Sequence, residues 1–366
     1  MDSHRRASGV LVVDLDALAR NYGVVCRAAA PAECGAVVKA DAYGLGMEAV
    51  ARRLFAEGCR SYFVATLAEG LELRTLLPRA RIFVFEGAVA DSAPELAAAA
   101  LVPVLNTLAQ VERWAKIGGA AALHVDTGMS RLGLSAAEVA TLAAEPARLA
   151  GIEIECVLTH LACADEPEHR LNAAQLADFE RLRAELPAAK TSIGNSACAF
   201  LGAEYHGDLV RAGIALYGGN PFLARPSPVE PVVRLSATIL QVREIEPDVT
   251  IGYGATYAAR GPARIAVAGI GYADGLPRCL GNKGAASVAG VRVPIAGRVS
   301  MDLLCLDVSA LPADAVSEGM VAHFIGGGIS VDEVAETAGT ISYEILTGLG
   351  ARLQREYRGA AGEEAT

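Results

Sequence analysis

Residues 34–46 read CGAVVKADAYGLG. Five small or apolar residues run without a polar break into Lys39, and a Gly-containing turn follows at once. A short continuous apolar run bounded by turn residues suits a parallel strand buried on both faces, not an alternating, half-exposed one. Seven further runs share this texture: SYFVA (61–65), RIFVFE (81–86), LVPVLN (101–106), ALHVD (122–126), IEIECVLTH (152–160), KTSIG (190–194) and GDLVRAG (207–213). Between them lie segments of helical periodicity, among them MEAVARRLFAEG, LAEGLELRTLL, LAQVERWAKI and LNAAQLADFERLRAEL. Eight strand–helix units in about 200 residues predict an α/β fold whose N-terminal part is a (β/α)8 TIM-type barrel.

The texture changes near Pro226–Pro231. LSATILQVREI, TIGYGATY, RIAVAGIGYADG and ASVAGVRVPIAGRVSMDLLCLDV are Gly-punctuated and Val/Ile-rich, with little helical period, so a C-terminal β-rich domain is expected. The boundaries expected are 10–230 for the barrel and 231–360 for the β-rich domain. A short helix at VDEVAETAG and an amphipathic stretch, SYEILTGLGARLQREY, close the second domain, and the residues after Gly359 read as a frayed tail.

Composition narrows the function. Of 366 residues, 52% are hydrophobic and 20% charged, enough for a sizeable core. A formal charge of −10 leaves no basic footprint for nucleic acid or an anionic membrane surface. The eight cysteines show no C-x-x-C pairs and irregular spacing, so they read as thiols rather than as disulfides or a metal site. The apolar run Val10–Val13 is stopped by Asp14, too short for a signal peptide or span, and a cytoplasmic protein is expected.

In a barrel enzyme the chemistry gathers where the strands end. Lys39 ends the first run, Asp126-Thr-Gly-Met-Ser-Arg131 follows the fifth, and His160 ends the sixth. Asn195-Ser196 follows the seventh run, and Arg211 and Gly213 stand at the eighth. A lone rim lysine would ordinarily extend its ammonium to water. Here a desolvated lysine in this company has a lowered pKa and offers a neutral amine for Schiff-base chemistry. Ser196 and the Gly213-Ile214 amides lie in the barrel loops that commonly bind phosphate. A phosphate-bearing cofactor plus a strand-end lysine points to pyridoxal phosphate.

The ordered motifs AVVKADAYGLG, VDTGMSRLG, LTHLACADE, IGNSA, DLVRAGIALYG, IGYGATY, GIGYADGLPR, GRVSMDLL and ISYEILTGLGAR resemble those of alanine racemases, over most of the chain. The resemblance implies that Lys39 holds pyridoxal 5'-phosphate and is the base on one face of the substrate Cα, with Tyr253 the base on the other. A phenol is a poor base at neutral pH unless its surroundings stabilise the phenolate. The resemblance supplies a hydrogen-bonded chain from Tyr253 through His160 to Arg211. It further implies phosphate or pocket roles for Tyr43, Ser196, Gly213, Ile214 and Tyr343, contact of Arg131 with the substrate carboxylate, and a backbone contact from Met301. Tyr272 and Arg278 resemble entry-corridor residues. A homodimer is implied, in which Tyr253, Tyr272 and Met301 reach the lysine of the other subunit. The implied biological role is supply of D-alanine for peptidoglycan.

Arg211 has its own physical message: a guanidinium only donates and stays charged, so a ring nitrogen facing it must accept and stay unprotonated. That disfavours the alternative of a barrel decarboxylase. A non-catalytic pyridoxal-phosphate carrier lacks the β domain and the opposed tyrosine, while a serine or broad-specificity racemase stays open. Three positions depart from the family pattern. His124 stands where many relatives carry a lysine, sometimes carbamylated, so the positioning of Arg131 falls to His124, an anion or a water unless His124 is simply a hydrogen-bonded strand residue. Asp41 and Leu45 replace an asparagine and a histidine.

Overall fold

The computed structural model describes residues 8–359. The chain forms two compact units, one holding Ala17–Ala42 and Gly46–Glu230, the other holding Tyr43–Leu45 and Pro231–Gly359 together with the N-terminal strand.

In chain order, β1 is Gly9–Asp14, β2 Glu33–Val37, β3 Ser61–Val64, β4 Arg81–Val84, β5 Val102–Leu105, β6 Gly119–His124, β7 Ile152–Leu158, β8 Lys190–Ser192 and β9 Leu209–Ala212. Strands β2 to β8 pair in sequence order, all parallel, and β9 pairs with β2. The expected (β/α)8 barrel is present. Its one seam, between β8 and β9, lacks a continuous ladder and is closed piecemeal by Asp208 N–H to Thr191 O (2.8 Å), Arg211 N–H to Gly194 O (2.9 Å) and the Ser192 hydroxyl on Leu209 O.

Apolar residues bury β3 and β5 on both faces, neither strand carrying an exposed residue, and Phe63 stacks on Phe83 with ring centroids 4.7 Å apart. Each strand ends before its run does, since the last one or two residues leave the ladder to form the strand-end loops. Threonine and serine caps then restart the chain as helix: Thr66 and Ser135 each form a full capping box, with Glu69 and Glu138 respectively.

In the second unit, β1 lies antiparallel to β10 (Val233–Ile245) and parallel to Gln354–Arg358. The expected start of the barrel at residue 10 is therefore corrected: Val10–Val13 is a sheet strand of the β-rich unit. Leu11 and Val13 are fully buried there, which explains why so short an apolar run precedes Asp14. The thirteen-residue β10 is bulged between Ile239 and Gln241 and pairs along its length with β1, Val321–Ile325 and Ala263–Ala268. The stretch 342–357 also departs from a single helix. Ser342–Thr347 is helical, the chain breaks at Gly348, and Gln354–Arg358 is a strand. The tail expected after Gly359 lies outside the described residues. Among the described residues, no helix is long and apolar enough to cross a membrane.

Residues Lys39–Gly44 are the unusual element. Ala40, Asp41, Ala42 and Tyr43 have φ of 53°, 52°, 52° and 58°, so the turn is left-handed. For L-residues this conformation costs roughly 1–2 kcal/mol per residue, and it persists only where the surroundings hold it. Asp41 closes it from within, its side-chain Oδ1 accepting the Met47 N–H (2.6 Å) and its carbonyl the Gly46 N–H (3.0 Å).

Candidate active site

Lys39 is not the last residue of its strand, as the sequence suggested. β2 stops at Val37, Val38 N–H caps onto Phe63 O (2.9 Å), and Lys39 opens the left-handed turn. Its ammonium lies 5.8 Å from the centroid of the Phe85 ring. Burial first, and the charge of Arg131 second, lower its pKa below the ordinary lysine value, while Glu69 acts in the opposite direction.

Arg211 is 3% exposed. Its Nη1 donates to Ser192 O (2.8 Å) and Oγ (2.6 Å); its Nη2 donates to Thr159 O (2.6 Å) and Ile193 O (3.2 Å) and meets His160 Nδ1 at 3.2 Å. Among the described residues, Nε–H is the guanidinium donor without an acceptor. Because Arg211 can only donate, His160 Nδ1 must accept, which places the imidazole proton on Nε2. Desolvation, reinforced by the charges of Arg211 and Arg131, holds the His160 pKa well below the usual histidine range, so this ring is neutral.

His124 is the opposite tautomer. The Asn106 amide donates through Nδ2 to Phe85 O (2.9 Å) and Val104 O (2.8 Å), so its Oδ1 accepts from His124 Nδ1 at 2.7 Å. The lone pair of His124 is on Nε2. Burial, then the charge of Arg211, lowers its pKa to about 4. The hydrogen bond to Asn106 fits a strand histidine, and its Nε2 leaves a lone pair for Arg131 or a bound group.

Arg131 is exposed and has no carboxylate partner among the described residues. Its loop is shaped by Asp126, whose Oδ1 accepts the N–H groups of Gly128, Met129 and Ser130 at 3.0, 3.0 and 3.1 Å. Lys39, Arg131, His124, His160 and Arg211 are thus electrostatically coupled at the strand ends of one barrel. Such a mouth suits an anionic small molecule.

The loops after β8 and β9 form a small donor cradle. Ser196 Oγ accepts from Gly213 N–H (2.8 Å) and Ala215 N–H (3.2 Å), so the Gly213 amide expected to face a ligand is spent on this hydroxyl. The Ser196 hydroxyl proton and the Ile214 amide have no acceptor among the described residues. Ser196 and Ile214 are both buried.

The other candidates belong to the second unit. Tyr43 and Tyr343 meet there, ring centroids 5.8 Å apart. Tyr272 N–H bonds to Ser300 O (3.0 Å), and Ala273 N–H to Met301 O (3.0 Å), which brings the Tyr272 and Met301 loops together. Asp274, bonded through its carboxylate to the Gly271 N–H (2.9 Å) and to Arg352 (2.9 Å), fixes that junction. Tyr253 stands 71% exposed in the turn joining Thr250–Ile251 to Tyr257–Ala258, and Arg278 is exposed, with neither tied to these contacts.

Asn106, Glu69 and Asp274 escaped the sequence reading. Thr66-Leu-Ala-Glu69 carried a usable signal, the capping-box spacing T-x-x-E. Asn106 and Asp274 carried none, because a polar residue ending a strand or opening a turn is commonplace.

A parallel barrel with a desolvated lysine and unspent donors at its strand ends, joined to a β-rich unit, defines an enzyme class that holds a phosphate-bearing group. The chain matches the alanine racemase N-terminal domain over residues 13–221 and the alanine racemase C-terminal domain over residues 232–357. A catabolic alanine racemase of Agrobacterium fabrum is 49% identical over 358 residues, covering 96% of this chain and 92% of its own. An alanine racemase of Rhodospirillum rubrum is 48% identical over 367 residues, 98% of each chain. The crystal structure of Bartonella henselae alanine racemase with covalently bound pyridoxal phosphate superposes with a TM-score of 0.93 at 38% identity, covering 96% of this chain and all (100%) of that one. The chain belongs to the alanine racemase family, whose members are pyridoxal-phosphate-dependent isomerases.

Proposed function

We propose that the chain interconverts L- and D-alanine by moving the α-proton between two bases, Lys39 and Tyr253, on pyridoxal phosphate held by Lys39. The arrangement of Arg211 carries this reading. Both Nη atoms are committed to backbone carbonyls, Ser192 and His160, leaving the Nε–H free to donate. A donor-only group facing the cofactor ring nitrogen keeps that nitrogen unprotonated, which favours proton exchange over decarboxylation or transamination. When bound, pyridoxal phosphate withdraws electron density from an attached amino acid and acidifies its α-proton.

The chain's residues suit this group. The Ile214 amide and the Ser196 hydroxyl remain to donate to a phosphate, with Tyr43 as the tyrosine the resemblance assigns there. Arg131, an unpaired cation, takes the substrate carboxylate. Lys39, its pKa lowered by burial, offers a neutral amine as base on one face. Tyr253 serves the other face, from the partner subunit of a homodimer. His160 supports it: with Nδ1 occupied by Arg211, the Nε2–H donates to the phenol oxygen and stabilises the phenolate. Tyr272, Arg278 and Met301 line the approach, and Tyr343, packed against Tyr43, favours a small substrate side chain.

Exchange of L-alanine in deuterated water, followed by chiral analysis, tests the mechanism. Inversion with deuterium at Cα is expected, and deuterium without inversion contradicts two opposed bases. Tyr253→Phe should slow the two directions unequally, since each base serves one enantiomer. Running L-serine alongside reports breadth. Supply of D-alanine for peptidoglycan is the role we infer. The catabolic names of some relatives supply the alternative, consumption of D-alanine. A D-alanine requirement in a deletion strain separates the two. All eight thiols are free, which suits the reducing cytoplasm.

A further inference from the structure

Glu69 stands in the first turn of the helix Leu67–Leu76, three residues after its cap. A capping box asks one carboxylate oxygen to accept the cap's N–H, and here Oε2 does so, to Thr66 N at 3.2 Å. The shorter bonds go elsewhere. Oε2 also accepts the Ala65 N–H at 2.7 Å, and Oε1 accepts the Ala40 N–H at 2.7 Å. One carboxylate therefore ties the loop leaving β3 to the residue that follows Lys39. Ala40 is the first residue of the left-handed run, with φ 53°, and the chain does not hold that conformation unaided.

We propose that Glu69 is a positioning residue for Lys39: its carboxylate clamps the Ala40 amide and so fixes the left-handed turn from which the lysine side chain projects. This rests on the reading that Lys39 carries the cofactor. Two independent anchors then bracket the turn, Glu69 at its start and the Asp41 carboxylate on Met47 at its end. Both Glu69 oxygens accept, so Glu69→Gln must turn an NH2 group toward one set of amide donors and lose it. Glu69→Asp keeps a charge suited to the helix start but is one methylene too short to span both loops. The charged groups acting on Lys39 are Arg131 and Glu69, and Lys39 in turn acts on His160. Removing the Glu69 charge leaves Arg131 unopposed and drives the Lys39 pKa further down.

The test compares Glu69→Gln and Glu69→Asp with Thr66→Ala, which removes only the helix cap, in purified holoenzyme. Amide hydrogen exchange in a peptide spanning 38–46 should accelerate in both Glu69 variants and stay unchanged in Thr66→Ala. For alanine, kcat should fall about tenfold or more in the Glu69 variants with KM little altered, because the error is one of aim. In Glu69→Gln alone, the acid limb of kcat should also move to lower pH, since the lysine amine is free to act as base only in the substrate complex and a base of lower pKa is neutral over a wider range. If all three variants affect only residues 65–70, Glu69 is a helix cap and the proposal is overturned. If the wild type shows no lysine-bound cofactor absorbance, or Lys39→Ala retains it, the reading of Lys39 fails instead. The hydrogen-exchange comparison still decides the clamp in that case.

Discussion

His124 and His160 are neutral imidazoles of opposite tautomer, each fixed by a neighbour that can play only one role. The depressed pKa of His124 is also a statement about stability. In the unfolded chain histidine takes up its proton below about pH 6.5, whereas in the fold it stays neutral until about pH 4. The unfolded state therefore binds more protons between these values, and stability present above pH 6.5 is lost as pH falls toward 4. The shift corresponds to roughly 3 kcal/mol, and His160 contributes in the same direction. Urea midpoints measured across this window should decline with acid, and His124→Gln should flatten the decline. An unchanged slope would mean that the burial of His124 is not sensed by the fold. At this scale the residues legible in the sequence were those that interrupt an apolar run: Lys39 after Val38, Arg211 between Val210 and Ala212. Asn106 and Glu69 were not legible. Their function is to accept or donate across to another strand end, and that pairing exists only once the barrel has closed.

At the scale of the element, apolar runs announced most barrel strands, because a strand buried on both faces needs nothing but apolar residues; β8, Lys190-Thr191-Ser192, is the polar exception. What they could not announce was where the ladder stops, since Val38 and Ala65 are as apolar as the strands they follow. Nor could they announce β1 or Gln354–Arg358, whose pairing joins the two ends of the described chain. The left-handed turn was equally hidden, for the two alanines and the tyrosine carry no left-handed propensity and only Asp41 and Gly44 hint at it. That glycine, at φ 83°, has a second constraint: a Cβ would stand 2.6 Å from Leu346 O. Gly44→Ala thus combines backbone strain with a backbone clash that no rotamer relieves. It should destabilise the β-rich unit by more than about 1 kcal/mol, read as a lower thermal midpoint, with Gly58→Ala as comparison. Gly58 shares the positive φ (96°) but has open space around its missing Cβ. Equal losses in the two variants would show that strain alone, without the clash, sets the cost.

For the whole molecule, the decisive matter is whether one chain can complete its own site. The β-rich unit exposes Tyr253 (71%) and Met301 (52%), and with them Tyr272 and Tyr343. The proposed two-fold dimer would cover such residues on both copies. Sharing of sites gives a quantitative expectation. Neither Lys39→Ala nor Tyr253→Phe homodimers should racemize alanine at the wild-type rate. Mixing the two variants at equal concentration under conditions that exchange subunits makes about half the dimers mixed, and each mixed dimer has one site with both mutations and one with neither. Activity should then recover to about a quarter of wild type. If Lys39 and Tyr253 instead served the same chain, every site in every dimer would carry one mutation, and mixing would recover nothing.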